Sequence, residues 1–238
     1  MDADPRRRPL AKTLQATGGE LLLFALAGLV GLTIAQLAIW TGVARLRPQW
    51  LFSWGTILMV STILAYWGLE RWRVRRGQPA PMLRTPAERE PWLRSIGIAL
   101  LAVALGTATV IAIAAVLGWL FGPTNQPSVL DNLDQRDPAA RIELIIMVVV
   151  TAPIIEEVLF RGLLFRRLMP ISAGAAWVLA TLAFALQHQS LVLMPWYLAM
   201  GLVFTYVYWR TGRLSAAILT HVGFNALTVA SRMEFGGL

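Results

Sequence analysis

Glu156 and Glu157 stand side by side in Ile154-Ile155-Glu156-Glu157-Val158-Leu159-Phe160-Arg161, and the chain's two histidines, His188 and His221, also lie inside apolar segments. Carboxylates and imidazoles take and give protons near neutral pH, so these residue types point to acid–base work on a water molecule. Hydrocarbon is a costly place to keep them. An ionised side chain near the bilayer centre costs about 2.5 to 3.5 kcal/mol on insertion scales, and residues that persist there pair with one another or serve function.

Spacing divides the labour. Glu157 and Arg161 are one helical turn apart and can pair, while Glu156 points roughly 100° away around the same helix. One carboxylate is then neutralised and the other stays available. The competing structural reading makes both glutamates part of an ion-pair network stapling a bundle. Pro153, just before the pair, removes a backbone N–H and leaves a carbonyl that a neighbouring helix or water must satisfy. Phe184-Ala185-Leu186-Gln187-His188 puts a ring and an imidazole on one face. His221-Val222-Gly223-Phe224-Asn225 does the same for His221 and Asn225, with Gly223 allowing another backbone to approach closely. Histidine and asparagine as interhelical glue are the bland alternative for these two segments.

A carboxylate bonded to a water, with a histidine to share the proton, makes a general base that can drive that water onto a carbonyl. Asparagine and the other histidine can donate hydrogen bonds to the oxyanion that forms. The same groups could instead hold zinc through Glu156, His188 and His221, with a metal-bound water as nucleophile. Both versions stay open on the residues alone. Other schemes fit poorly, because the chain has no His-Glu-x-x-His, no Gly-x-Gly-Asp, no serine obviously paired with a histidine and no cysteine at all.

The elements that must position these groups are read from composition. Apolar residues make up 57% of the 238 and charged residues 14%, and the apolar runs pass the roughly 18 residues expected of a spanning helix. The fold class is therefore all-α, a polytopic transmembrane helical bundle. Seven spans are predicted, at Glu20–Ala44, Leu51–Leu69, Ile96–Phe121, Ile142–Phe165, Ala173–His188, Leu191–Trp209 and Leu214–Ala230. The first two have no internal charge, and the last four carry the unusual residues and form the catalytic core. The segment from Glu70 to Arg94 divides residues 1–94, an N-terminal part with two spans and a basic loop, from residues 95–238, a membrane-embedded core. Within it, Thr85-Pro86-Ala87-Glu88 reads as a helix start, for a short interfacial helix anchored by Trp92.

A net charge of +8 raises the question of nucleic acid, but the 21 basic residues sit in short stretches flanking apolar runs, so no nucleic-acid partner is expected. The bilayer is the expected partner. Sixteen of the 21 fall on the side of the N-terminus, and the far loop from Pro123 to Ala140 carries Asp131, Asp134 and Asp137. The positive-inside rule makes the N-terminus cytoplasmic and places the C-terminus opposite. The Arg6-Arg7-Arg8 cluster before the first run resembles a signal, but the run is too long, and it reads as a retained first span. Tryptophans near span ends, such as Trp50, Trp72, Trp92 and Trp209, suit an interfacial belt.

Depth checks whether the groups can meet. At 1.5 Å per residue Glu156 lies about 13 Å above the basic end of its helix near Phe165, and His221 about 12 Å above Arg213. His188 lies about 27 Å up when counted from Pro170, but about 17 Å when counted from an interfacial Trp177. The second count has residues 170–176 lying along the membrane surface and the Gln189–Pro195 connection dipping into the protein.

Taken jointly, Glu156-Glu157-x-x-x-Arg161, Phe184-x-x-x-His188 and His221-x-x-x-Asn225 resemble the signature of the CAAX protease and bacteriocin-processing enzyme family, also known as CPBP intramembrane metalloproteases or type II CAAX endopeptidases. The resemblance covers roughly Ile142 to Arg232 and departs at none of the seven motif positions. It implies an all-helical membrane endopeptidase acting on a membrane-associated peptide or protein, with its site in a cavity within the bilayer. Glu156 would activate the water with His188 assisting, His221 and Asn225 would stabilise the oxyanion, and Glu157 with Arg161 would orient the helix and the base. Members are described both as metal-dependent and as glutamate-dependent, and some as bacteriocin-immunity proteins. A non-proteolytic membrane scaffold of the same fold is thus the second reading. A proton-coupled transporter is third, since the chain shows no inverted repeat.

Overall fold

The structure is a computed structural model that describes residues 10–41, 54–77, 88–122, 130 and 137–235. These residues form seven helices: α1 (Leu10–Trp40), α2 (Trp54–Arg75), α3 (Trp92–Phe121), α4 (138–168), α5 (Ala173–Leu186), α6 (Met194–Thr211) and α7 (Leu214–Phe235). No strand occurs among the described residues, and the chain is an all-α membrane bundle. The Thr85–Ala87 helix start, Trp50, Arg6 to Arg8 and most of the 123–140 loop lie outside the described residues.

Local chemistry sets the helix ends. Asp137 caps α4, its Oδ1 accepting from the backbone N–H groups of Ala139 and Ala140 at 3.1 and 3.0 Å, with Pro138 following in the first turn. Ser172 caps α5 through Ala175 N–H at 3.3 Å. Gly212 ends α6 at φ 68°, where glycine carries no Cβ penalty, and its N–H returns to Tyr208 O.

By length and composition α1, α3 and α7 are each able to cross a bilayer, over Ala11–Trp40, Trp92–Phe121 and Leu214–Met233. The other four helices are shorter or interrupted by charge. The fifth expected span is the one that changes most, since α5 stops at Leu186 and its 14 residues reach only about 21 Å, short of a hydrocarbon core of about 30 Å. The chain turns back at Gln187–Leu193, with Gln189 at φ 54°, and α6 starts at Met194 beside it.

The first two expected spans also carry charge once folded. α1 begins at Leu10, so Glu20 lies inside it, and α2 runs on through Glu70 to Arg75. Arg73 reaches Glu20 at 3.3 Å, and Arg167 at the end of α4 reaches Glu70 at 2.6 Å and also holds Glu20. This network ties the α1/α2 hairpin to the end of α4. Trp177 at the start of α5 packs edge-on against Phe165 and Trp209, so the ends of α4, α5 and α6 share one level with it.

Behind these contacts α4 to α7 enclose an aromatic core. Phe160, Phe184, Phe204 and Phe224 are buried together with Leu159, Leu163 and Met200, and Phe184 meets both Phe160 and Phe204 edge-on. Gly223 faces α3, where a Cβ would come within 3.0 Å of Val103 Cγ2. The close neighbour expected at Gly223 is therefore a side chain rather than a backbone.

Candidate active site

Two stretches of wider π-type turn, Met147–Thr151 and Val158–Phe165, bracket Ala152–Glu157 in α4. Such turns free backbone groups from the regular ladder and are common at functional sites. In the first stretch Ala152 N–H bonds Met147 O, five residues back. Continuing that register, the next donor to Val148 O belongs to residue 153, and residue 153 is proline. Asn225 Nδ2 of α7 supplies the missing proton, donating to Val148 O at 2.8 Å. The carbonyl orphaned by Pro153 is thus satisfied by a neighbouring helix.

Glu157 and Arg161 form the buried pair their spacing suggests, with Arg161 Nη1 donating to Glu157 Oε1 at 2.8 Å and both side chains fully enclosed. The guanidinium is held on every edge. Nη2 donates to Gly201 O at 2.9 Å and Nε to Thr205 Oγ1 at 3.3 Å, while Phe184 and Phe204 lie 4.6 and 5.4 Å away, ring centroid to Cζ. Gly201 is required where it stands, since a Cβ would meet Thr181 Cγ2 at 3.1 Å and Phe184 Cδ1 at 3.2 Å.

The same Glu157 Oε1 lies 3.0 Å from His221 Nδ1. His221 stacks on Phe204, centroids 4.2 Å apart, and turns its Nε2 toward Glu156 Oε2 at 4.0 Å. Glu156 Oε2 and Gln187 Nε2 are both buried without a partner of hydrogen-bonding geometry. Gln187 lies close enough to act on the Glu156 charge.

His188 sits edge-on to the Phe184 ring. Its Nδ1 lies 2.9 Å from Phe184 O and its ring stacks on Tyr197, centroids 3.9 Å apart and planes 17° apart. Tyr197 is twelve residues before Trp209, about 18 Å up α6, which puts His188 near the shallower of its two expected levels. The cause is the short α5 with its tight return. Among the described residues no hydrogen bond joins His188 to Glu156.

Both imidazoles therefore have assigned protons. A backbone carbonyl only accepts, so His188 Nδ1 carries its hydrogen, and the Arg161-paired carboxylate asks the same of His221 Nδ1. In the neutral form each ring then presents an Nε2 lone pair. Such lone pairs suit a base and also a metal. Among the described residues, however, no three His, Asp or Glu side chains gather closely enough to hold a metal ion, so Glu156, His188 and His221 do not form a zinc set in this arrangement.

Residues 138–227, which carry every one of these groups, match the family model described as type II CAAX prenyl endopeptidase Rce1-like. Over this stretch the chain is similar to Rce1-like endopeptidases. Over 92 residues it is 34% identical to the membrane-embedded CAAX protease MroQ of Staphylococcus aureus (strain USA300), covering 36% of this chain and 37% of that protein. It is also 30% identical over 92 residues to YdiL of Bacillus subtilis (strain 168), which carries a provisional membrane-peptidase name, covering 38% of each. The matched stretch thus spans less than two fifths of either relative. No solved structure matches the chain. The apolar helices and this kinship make the chain a multi-pass membrane protein.

Within the matched stretch the fold joins Glu157, Arg161 and His221 directly, sets Glu156 beside His221, and links Asn225 to the backbone of α4. His188 joins the group only through Phe184, whose ring lies 5.0 Å from the His188 ring and 5.8 Å from the His221 ring. Sequence reasoning missed Tyr197, Gln187, Thr205 and Gly201. Gly201-Leu202-Val203-Phe204-Thr205 did carry a signal, as a small-xxx-small pattern marks a face where helices approach closely. Tyr197 and Gln187 carried none beyond being polar tips in apolar surroundings.

Proposed function

We propose that the chain is an intramembrane endopeptidase that hydrolyses a peptide bond of a membrane-associated protein or peptide with water activated by Glu156. The observation that carries this reading is the 4.0 Å separation of Glu156 Oε2 and His221 Nε2, too long for a direct hydrogen bond and suited to two groups that share one water. Glu156 accepts the water proton as the hydroxide attacks the scissile carbonyl. His221 Nε2 receives that proton and passes it to the departing amine, while Glu157, itself neutralised by Arg161, keeps Nδ1 protonated and the ring oriented. The second Asn225 amide hydrogen, the first being bonded to Val148 O, is available to the oxyanion. His188, with its lone pair on Nε2, serves as a proton partner at the rim rather than as an oxyanion donor in its neutral form. Each step of this hydrolysis runs on the chain's own groups.

The cationic ends of α2, α4 and α6 share one end of the bundle with Glu20 and Glu90, and the positive-inside rule makes that end cytoplasmic.

The decisive experiment reconstitutes the whole chain in liposomes with a farnesylated CAAX peptide reporter and, separately, a panel of unlipidated membrane peptides, and counts new termini by mass spectrometry. Wild type produces them, and Glu156→Gln falls by roughly 10²-fold or more. Full cleavage by Glu156→Gln sinks the mechanism. Absence of cleavage by wild type across both sets, in protein that is folded, favours a scaffold.

A further inference from the structure

A groove of about 500 Å³ runs between α3 and α6 on the outer face of the bundle, turned away from the carboxylates. Leu101 and Leu105 form one wall, Leu202 and Tyr206 the other, and all four are exposed beyond the protein. Gly106 is its buried floor, where the helices come close enough that a Cβ would sit 3.6 Å from Val203. From Arg94 to Thr109 the groove follows sixteen residues of α3, about 22 Å, which is more than half of a hydrocarbon core of about 30 Å and so spans one leaflet.

Its charged end is asymmetric. Arg94 and Arg210 both face it, and both lean on the single carboxylate of Glu90. Nearby Arg213 is matched by Glu88 at 2.7 Å, whereas Arg89 has, among the described residues, only the Trp209 carbonyl at 2.9 Å and the Trp209 ring. Four guanidiniums against two carboxylates leave an excess of two positive charges where the apolar groove opens. Arg94 is 66% exposed at that rim.

We propose that this groove is a binding site for an anionic membrane phospholipid, one acyl chain lying between α3 and α6 and the phosphate meeting Arg94 and Arg210. The apolar walls supply the burial and the uncompensated guanidiniums supply the headgroup preference. The site is separate from the Glu156 centre and does not depend on the peptidase reading. Its lining includes none of the groups assigned to hydrolysis.

The test is native mass spectrometry of the full chain in detergent with dioleoyl phosphatidylglycerol or dioleoyl phosphatidylcholine. Wild type is expected to retain the anionic lipid about tenfold better than the zwitterionic one. Arg94→Gln with Arg210→Gln brings the two within about twofold, while Arg75→Gln with Arg76→Gln, which removes the same charge elsewhere, leaves the preference intact. Ala102→Trp fills the groove and releases both lipids. Circular dichroism confirms that each variant is folded, and Arg94→Lys, which keeps the charge while altering the packing, is expected to retain most of the preference; its loss in that variant overturns the charge argument. Equal retention of the two lipids by wild type overturns the proposal. So does loss of preference in the Arg75/Arg76 control, unchanged phosphatidylglycerol retention in Ala102→Trp, or one-for-one displacement of the lipid by the farnesylated reporter, which would make the groove a substrate site.

Discussion

His221 Nδ1 and Arg161 Nη1 converge on one oxygen, Glu157 Oε1, at 3.0 and 2.8 Å. A single buried carboxylate thereby fixes the tautomer of an imidazole and balances a guanidinium that has no access to water. Glu156, one residue earlier, makes neither contact and faces the other nitrogen of the same ring.

Stability and activity should therefore separate between the two glutamates. Glu157→Ala strands the enclosed Arg161 charge and is expected to cost about 3 to 5 kcal/mol. Glu156→Gln removes no buried counter-ion and should leave unfolding within about 1 kcal/mol of wild type while cleavage is lost. Thermal unfolding in detergent beside the peptide assay reads both, and equal destabilisation by the two variants would falsify this division.

Asn225 and Pro153 should be energetically coupled. Asn225→Leu leaves Val148 O without a donor, at a cost of about 1 to 3 kcal/mol. Pro153→Ala restores a backbone N–H in the register that reaches Val148 O, so the double variant should be less destabilised than the sum of the singles by about 0.5 to 2 kcal/mol. Strict additivity in denaturant unfolding would show that the two residues act independently.

Gly201→Ala should weaken the α5/α6 seam. The added methyl meets Thr181 and Phe184 at 3.1 and 3.2 Å and displaces the carbonyl that accepts from Arg161. A loss of about 1 to 3 kcal/mol is expected, accompanied by reduced cleavage. A variant as stable and active as wild type would mean that the seam has slack absent from this packing.

Tyr197 should act through its ring alone. Tyr197→Phe keeps the stack on His188 and is expected to cleave normally, whereas Tyr197→Ala gives up an aromatic contact worth about 0.5 to 1.5 kcal/mol and lets the imidazole swing. The readout is the pH profile of cleavage, which moves for Tyr197→Ala and stays in place for Tyr197→Phe.

Chelation offers a further check on the water-activating scheme. Each proton transfer in it runs between Glu156, the two histidines and the substrate, so cleavage should be unchanged after exhaustive treatment with EDTA and phenanthroline. Loss of activity that zinc restores would return Glu156, His188 and His221 to the role of metal ligands.

Much of this was legible in the residues. Apolar runs too long for a soluble core required a helical membrane bundle, the four-residue spacing of Glu157 and Arg161 required a common helix face, and Pro153 announced a carbonyl in need of a donor. Those are properties of a helix considered by itself, set by its period and by which backbone groups a side chain removes. The partners were a different matter. That Asn225 supplies Pro153's missing proton, that Glu157 rather than Glu156 takes His221 Nδ1, and that His188 stands against Tyr197 without a hydrogen bond to Glu156 all depend on how α4, α5, α6 and α7 pack. Distances between helices follow from where small residues such as Gly201 let backbones close up and where α5 ends after 14 residues. No spacing within one segment encodes them.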